Sequence, residues 1–311
     1  MKNTESSLKR FGQYALRHWQ LYLMVSLPVI VLFIFAYAPM YGVILAFKNY
    51  QVSKGIWGSP WAENCGMNNF IRFFNNYNFK ECLGNTLILS FYSMLVSIPT
   101  AILLALSLNY AKNLRFRKTV QMVSYCPYFI STVVFVGIIN LLMDTRIGVI
   151  GKFVYEKFGV SVLGSAGLFP SLYVWSGVWQ GVGFCSIIYI AALAGVDMEQ
   201  HEAAIIDGAT LLQRIKYVDI PAILPTVVIM LILNMGSVLN IGYEKVLAMQ
   251  NQNNVSASEV ITTYAYKVSL VSTFPDYSYS TAIGLFQSLI GLVLILVTNK
   301  IADKLTGNGF L

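Results

Sequence analysis

The sequence predicts an all-α integral membrane protein with six crossings, and three observations predict it. Of 311 residues, 56% are hydrophobic and only 11% charged, with a mean hydropathy of +0.62. Soluble globular chains carry about 25% charge. The apolar residues also gather into six runs, about 21–47, 83–108, 120–142, 168–195, 221–243 and 278–298. Each is at least as long as the roughly 20 residues that cross a 30 Å hydrocarbon layer as a helix. Finally, no Asp, Glu, Lys, Arg or His falls inside any of the six, as expected where a charge at the bilayer centre costs about 2.5–3.5 kcal/mol or more.

Residues 1–20 hold Lys2, Lys9, Arg10 and Arg17 against one acid, Glu5, and form a cytoplasmic N-terminal segment. The run that follows is too long for a signal-peptide core and lacks a small-residue cleavage site, so it reads as an uncleaved first span. Pro28 and Pro39 are expected to kink or end helical stretches within it. Residues 48–82, rich in aromatic, amide, Gly and Pro residues, read as a folded outer loop. Its Trp57, Trp61, Phe70, Phe73 and Phe74 fit either a self-packed cap or a docking surface for an external protein. Cys65 and Cys82 share this segment and are open to pairing, whereas Cys126 and Cys185 lie in apolar runs and read as small buried side chains. Four scattered cysteines without a Cys-x-x-Cys pair, and only two His, predict no metal site.

The second span leads into the basic cluster Lys112, Arg115, Arg117 and Lys118. The third has Pro127 near its start. A connector over 143–167 contains an amphipathic piece around Phe153 to Phe158. The fourth span carries Gly177, Gly181 and Gly183, which permit close helix approach. A polar loop over 196–220 precedes the fifth span, 244–277 returns partly amphipathic, and the sixth span ends in a basic stretch, with 304–311 as a cytoplasmic tail. With both termini inside, the inner segments hold 12 Lys plus Arg and the longer outer ones 9. That bias has the sign expected of a multi-pass protein of the cell membrane and puts the 196–220 loop in the cytoplasm. The net charge of +7 then reports basic residues beside a lipid bilayer rather than a nucleic-acid partner.

The 196–220 loop contains Glu202-Ala203-Ala204, good helix formers, then Asp207-Gly208-Ala209, where Gly208 is suited to ending the helix through a positive φ. Leu211 to Val218 predicts a second short helix, and Pro221 suits the first turn of the next. The three alanines leave a face with almost no bulk beside two carboxylates, a shape fit for another protein's groove. His201 reads as a solvated helix position. This spacing, completed by Val218-Asp219-Ile220-Pro221 and Pro225, resembles the cytoplasmic "EAA" loop of importer-type ABC permeases; Ile220 stands where Leu is usual. Residues 39–50, 55–61 and 277–287 resemble the maltose-type branch that handles oligosaccharides and polysaccharide fragments. The resemblance implies a type I importer permease bundle, with Glu202, Ala203, Ala204, Asp207, Gly208, Ala209 and Pro221 coupling it to an ATPase dimer. It also implies a second homologous permease, an extracytoplasmic solute-binding protein, and ATP and Mg held by the ATPase partners.

The spans offer no acid or base for proton coupling, proteolysis or glycoside hydrolysis, so the chain reads as a non-catalytic membrane subunit. No Gly-x-x-x-x-Gly-Lys-Ser/Thr loop cradles phosphate, and Gly151-Lys152 is followed by Phe153. Amides, hydroxyls and rings in the spans fit a neutral or hydrogen-bonding cargo. On a 3.6-residue helix, Asn234, Ser237, Asn240 and Glu244 fall within about 120° and form either a polar path or interhelical hydrogen bonds. Trp179 and Tyr189 share a quadrant of the fourth span as stacking candidates or anchors; Tyr128 and Gln287 are further path candidates. Two rival classes remain. An ion-coupled secondary carrier predicts inverted repeats and intramembrane ion ligands, neither visible here; a non-transporting scaffold would make the Glu-Ala-Ala loop accidental.

Overall fold

The computed structural model describes Tyr14 and residues 17–306. The expected N-terminal segment, apart from Tyr14 and residues 17–20, and tail residues 307–311 lie outside the described residues. Among those described, the only β feature is an isolated bridge between Lys48 and Trp61. The principal helices are α1 (Trp19–Leu32), α2 (Asn68–Phe74), α3 (Phe79–Asn109), α4 (Leu114–Tyr125), α5 (Thr132–Met143), α6 (Val149–Phe158) and α7 (Phe169–Ala194). They continue as α8 (Met198–Ile206), α9 (Leu211–Arg214), α10 (Ile220–Gly236), α11 (Tyr243–Met249), α12 (Ile261–Tyr266) and α13 (Tyr277–Thr306). Among the described residues, five helical stretches are long and apolar enough to cross a membrane: Trp19–Phe47, Phe79–Asn109, Phe169–Ala194, Leu211–Gly236 and Tyr277–Lys304.

The sixth crossing exists only if a broken pair counts as one. The expected helix over 120–142 is α4 with a 3-10 turn to Phe129, bent by 103° from α5. The break falls at Ile130 and Ser131, which are extended with ψ 130° and 147°, just after the 3-10 turn that contains Pro127. The first span is also irregular. α1 contains Pro28, passes through a π turn at Phe33–Tyr37 and finishes as a 3-10 helix over Ala38–Phe47, where Pro39 sits in the first turn. None of the residues from Trp19 to Tyr37 is buried; only the 3-10 part packs on α13.

The bundle is built around α3 against α7, with α10 lying on α13 and α4 on α7. One apolar cluster joins Ala101, Ala105, Tyr189, Leu193 and Ile223 towards the end that carries α8. A second joins Leu89, Phe135, Phe169, Val246 and Val260 towards the other end. Glycines set the closest crossings. A Cβ on Gly183 would strike the carbonyl of Ser124 in α4, and one on Gly291 would come within 2.5 Å of the carbonyl of Gly236.

The 48–82 loop divides between its two readings. Phe73 and Phe70 are buried, and Phe73 meets Phe79, Tyr279 and Phe286 edge to face. Trp57 and Trp61 stay 77% and 63% exposed. Lys48 is buried beneath them, its ammonium donating to the carbonyls of Ile56 and Trp57. All four cysteines are free, so Cys65 and Cys82 do not pair. Cys82 is turned into the core by α3 while Cys65 is exposed. Cys126 and Cys185 are exposed as well, because the outer faces of this bundle are apolar rather than enclosed.

Candidate functional site

Two regions carry chemistry, one in the middle of the bundle and one at its α8 end. The first begins where α10 stops. A helix running to residue 243 would align Asn234, Ser237, Asn240 and Glu244, but α10 ends at Gly236 and that stripe does not form. Gly236 is wedged against Ile295 and Gly291. The Asn234 amide donates to the carbonyl of Met230 at 2.7 Å, and the Ser237 hydroxyl to that of Asn234 at 3.1 Å. Such side-chain bonds to nearby backbone compete with helix continuation.

Unwound backbone at this depth persists only where its polar groups find partners or line a cavity. Both conditions are met. The carbonyls of Val238, Leu239 and Ile241 accept from Ser90 of α3, from Gln287 of α13 at 2.5 Å and from Thr262 of α12 at 3.0 Å. The same turn opens onto a cavity of about 180 Å³ lined by Ser90, Ser93 and Ser97 of α3, Tyr173 of α7, and Asn234, Ser237 and Asn240. Three of the four stripe residues therefore converge through a helix end. Glu244 is exposed on α11 and does not line the cavity.

The remaining path candidates separate. Gln287 spends its amide on Leu239 and holds the turn. Tyr189 is 2% exposed and packed in the core with Ala105, Leu193 and Ile223. Tyr128 stacks on Phe184 with centroids 3.9 Å apart and planes within 3°. It borders a second, open cavity of about 520 Å³ with Ser131, Thr132, Gly177 and Gln180. Trp179 packs beside Phe135 and lines a separate apolar recess against α4. The serines of α3 went unnoticed in the sequence, yet Ser90, Ser93 and Ser97 recur at helical spacing and were legible as a hydroxyl stripe. Lys245 was also missed. It lies just beyond the expected span, and its ammonium donates to the carbonyl of Tyr173 at 2.9 Å. Burial alone pushes it down to about 8.

At the other region, Asp197 caps α8 by accepting from the N–H of Glu199 at 3.0 Å. Gly208 takes φ +76° and turns the chain. Thr210 and Gln213 close a reciprocal capping box at α9. No break then separates the expected second helix from the next span. α9, a π turn at Ile215–Asp219 and α10 run on as one 26-residue helix, so Pro221 lies just after the π turn inside a continuous helix rather than at a helix start. Glu202, Ala203, Asp207 and Gly208 are exposed, and Ala204 and Ala209 half-buried. Around them Ile206, Leu212 and Tyr217 stand 85%, 76% and 67% exposed.

His201 is not solvated. It is 12% exposed and its Nε2 lies 3.3 Å from Asp219, which is fully buried. Tyr110, capping α3, donates its hydroxyl to the other Asp219 oxygen at 2.6 Å. Burial first, then that hydrogen bond, push the Tyr110 hydroxyl up to about 12, so it stays a donor.

Residues 85–306 match the family described as "Binding-protein-dependent transport system inner membrane component". The chain belongs to this family. It is thus a multi-pass membrane permease component, with the hairpin and the broken helix set in the family's matched region. Among relatives of this permease, "Protein LplB" of Bacillus subtilis is 38% identical over 93% of this chain and 90% of its own length. A Bacillus subtilis "Polygalacturonan/rhamnogalacturonan transport system permease protein" is 36% identical over 93% and 89%. A solved bacterial ABC transporter "involved in the import of the acidic polysaccharide alginate" contains a chain that superposes with TM-score 0.84 at 32% identity, covering 96% of this permease and 99% of that chain. The same kind of transporter was solved with a pentasaccharide-bound periplasmic protein.

Proposed function

We propose that this permease is the membrane-spanning subunit of an ATP-driven importer that translocates an oligosaccharide delivered by an extracytoplasmic solute-binding protein. The observation that carries the reading is mechanical. The exposed α8–α9 hairpin is continuous, through the unbroken helix Leu211–Gly236, with the turn that walls the polar cavity. Displacement of the hairpin by a partner ATPase dimer, holding ATP and Mg, would therefore move the cavity wall directly. A cavity of about 180 Å³ is smaller than the roughly 300–1,000 Å³ of whole small-molecule sites, which fits a path completed by a second homologous permease. Hydroxyls and amides on its wall suit the hydroxyls of a sugar. The relatives and the structural neighbour named for polysaccharide transport support that choice of cargo.

Gly208→Pro tests the coupling, because proline's φ near −65° is incompatible with the φ of +76° found there. Uptake of labelled oligosaccharide by cells carrying the variant should fall to background while immunoblots show normal membrane levels. Normal uptake would remove the hairpin from the mechanism.

A further inference from the structure

Lys245 is a half-buried cation without a carboxylate partner among the described residues. Its ammonium makes one hydrogen bond, to the Tyr173 carbonyl, and stands 4.6 Å from the Tyr173 ring centroid and 5.7 Å from that of Phe135. The ion pairs found among the described residues leave it without a carboxylate. Neighbouring Glu244 is turned to the exterior. An ammonium carries three donors, so two are unspent. Holding the carbonyl of Tyr173 does not require a charge, since a glutamine amide does so at far smaller desolvation cost.

The position explains what the charge is for. Tyr173 lines the cavity of about 180 Å³ and Gly177, one turn along α7, lines the cavity of about 520 Å³. A Cβ on Gly177 would sit 3.0 Å from the Lys245 nitrogen. The missing side chain thus lets the ammonium approach Gly177, which lines the larger cavity with Ser131, Thr132 and Gln180. A cation held against one lining residue of each cavity, Tyr173 and Gly177, with no resident carboxylate, fits a mobile anion that arrives with the cargo.

We infer that Lys245 pairs with a carboxylate of the passing oligosaccharide and makes this permease selective for acidic, uronate-bearing sugars over neutral ones. The inference rests on the importer reading above and narrows the neutral or hydrogen-bonding cargo that the span composition implies to an acidic one. Aromatic rings stand on two sides of the ammonium, at 4.6 and 5.7 Å, and hold the charge in place for a charge-assisted bond to an entering carboxylate.

The test uses the complete importer in cells and measures initial uptake of labelled trigalacturonate, its neutral methyl ester, and neutral arabinotriose. Wild type, Lys245→Arg, Lys245→Gln and Lys245→Met are compared at matched membrane levels. Every variant receives cargo from the same binding protein, so that protein's own preference cancels between variants. Lys245→Gln and Lys245→Met should lose trigalacturonate uptake at least tenfold, Lys245→Arg should retain most of it, and any uptake of the neutral sugars should change less than twofold. Unchanged trigalacturonate uptake in Lys245→Met, equal loss of acidic and neutral sugars, or wild-type uptake confined to the neutral sugars would each overturn the inference while leaving the importer reading intact. Wild-type failure to import any of the three would overturn both.

Discussion

At the scale of single residues, the buried carboxylate of Asp219 does the most to tie the exposed hairpin to the bundle. It joins three elements: His201 of α8 at 3.3 Å, Tyr110 at the end of α3 at 2.6 Å, and its own π turn leading into α10. The Arg214 guanidinium lies over the Tyr110 ring at 5.7 Å and completes the cluster. A hydrogen bond to a charged group contributes about 1.5–3 kcal/mol, and a buried partner left unpaired costs as much again. Asp219→Ala should therefore lower the melting temperature of the detergent-solubilised protein by several degrees. His201→Ala removes only the link to α8. It should leave most of that stability while reducing uptake several-fold, with ATP hydrolysis by the assembled complex continuing. Equal melting temperatures for wild type and Asp219→Ala, or full uptake by His201→Ala, would show that the cluster is not a mechanical joint.

At the scale of elements, helices that cross without interruption were legible, and those interrupted by tertiary contacts were not. Runs 83–108, 168–195 and 278–298 correspond to α3, α7 and α13 because a continuous apolar stretch has little alternative to a helix in lipid. The turn at Gly208 was legible for a local reason, since glycine alone adopts its φ freely. The end of α10 was not. Hydropathy continues through Ile241, and what stops the helix is Gly291 and Ile295 on α13 together with Ser90, Thr262 and Gln287 waiting for the freed carbonyls. Those residues lie far away in sequence. For the same reason Asn234, Ser237 and Asn240 were singled out correctly as neighbours of one another but assigned the wrong geometry. Gly291→Ala probes this crossing. Its Cβ would meet backbone, the Gly236 carbonyl at 2.5 Å, so α10 and α13 must separate, at a cost of about 1–3 kcal/mol. A lowered melting temperature is expected, with uptake falling in parallel because the cavity wall shifts. A melting curve identical to wild type would mean the contact is slack.

At the scale of the whole molecule, orientation decides whether the two regions can work together. The hairpin must face the motor and the 48–82 loop the binding protein, with the cavity between them. The excess of Lys and Arg on the hairpin side argues for that arrangement, though 12 against 9 is a modest bias for a rule that acts through short flanking segments. The structure supplies a native reporter. Cys65 is an exposed free thiol in the 48–82 loop, whereas Cys82 is buried. With Cys126 and Cys185 changed to Ser, a membrane-impermeant maleimide applied to intact cells should label Cys65. When Cys65 is also replaced and Ala203→Cys introduced, the new thiol, exposed on a hairpin that we propose faces the cytoplasm, should react only after the membrane is opened. Labelling of Ala203→Cys in intact cells would place the hairpin beyond reach of any cytoplasmic ATPase, and an energy input through it would be impossible whatever the cavity binds.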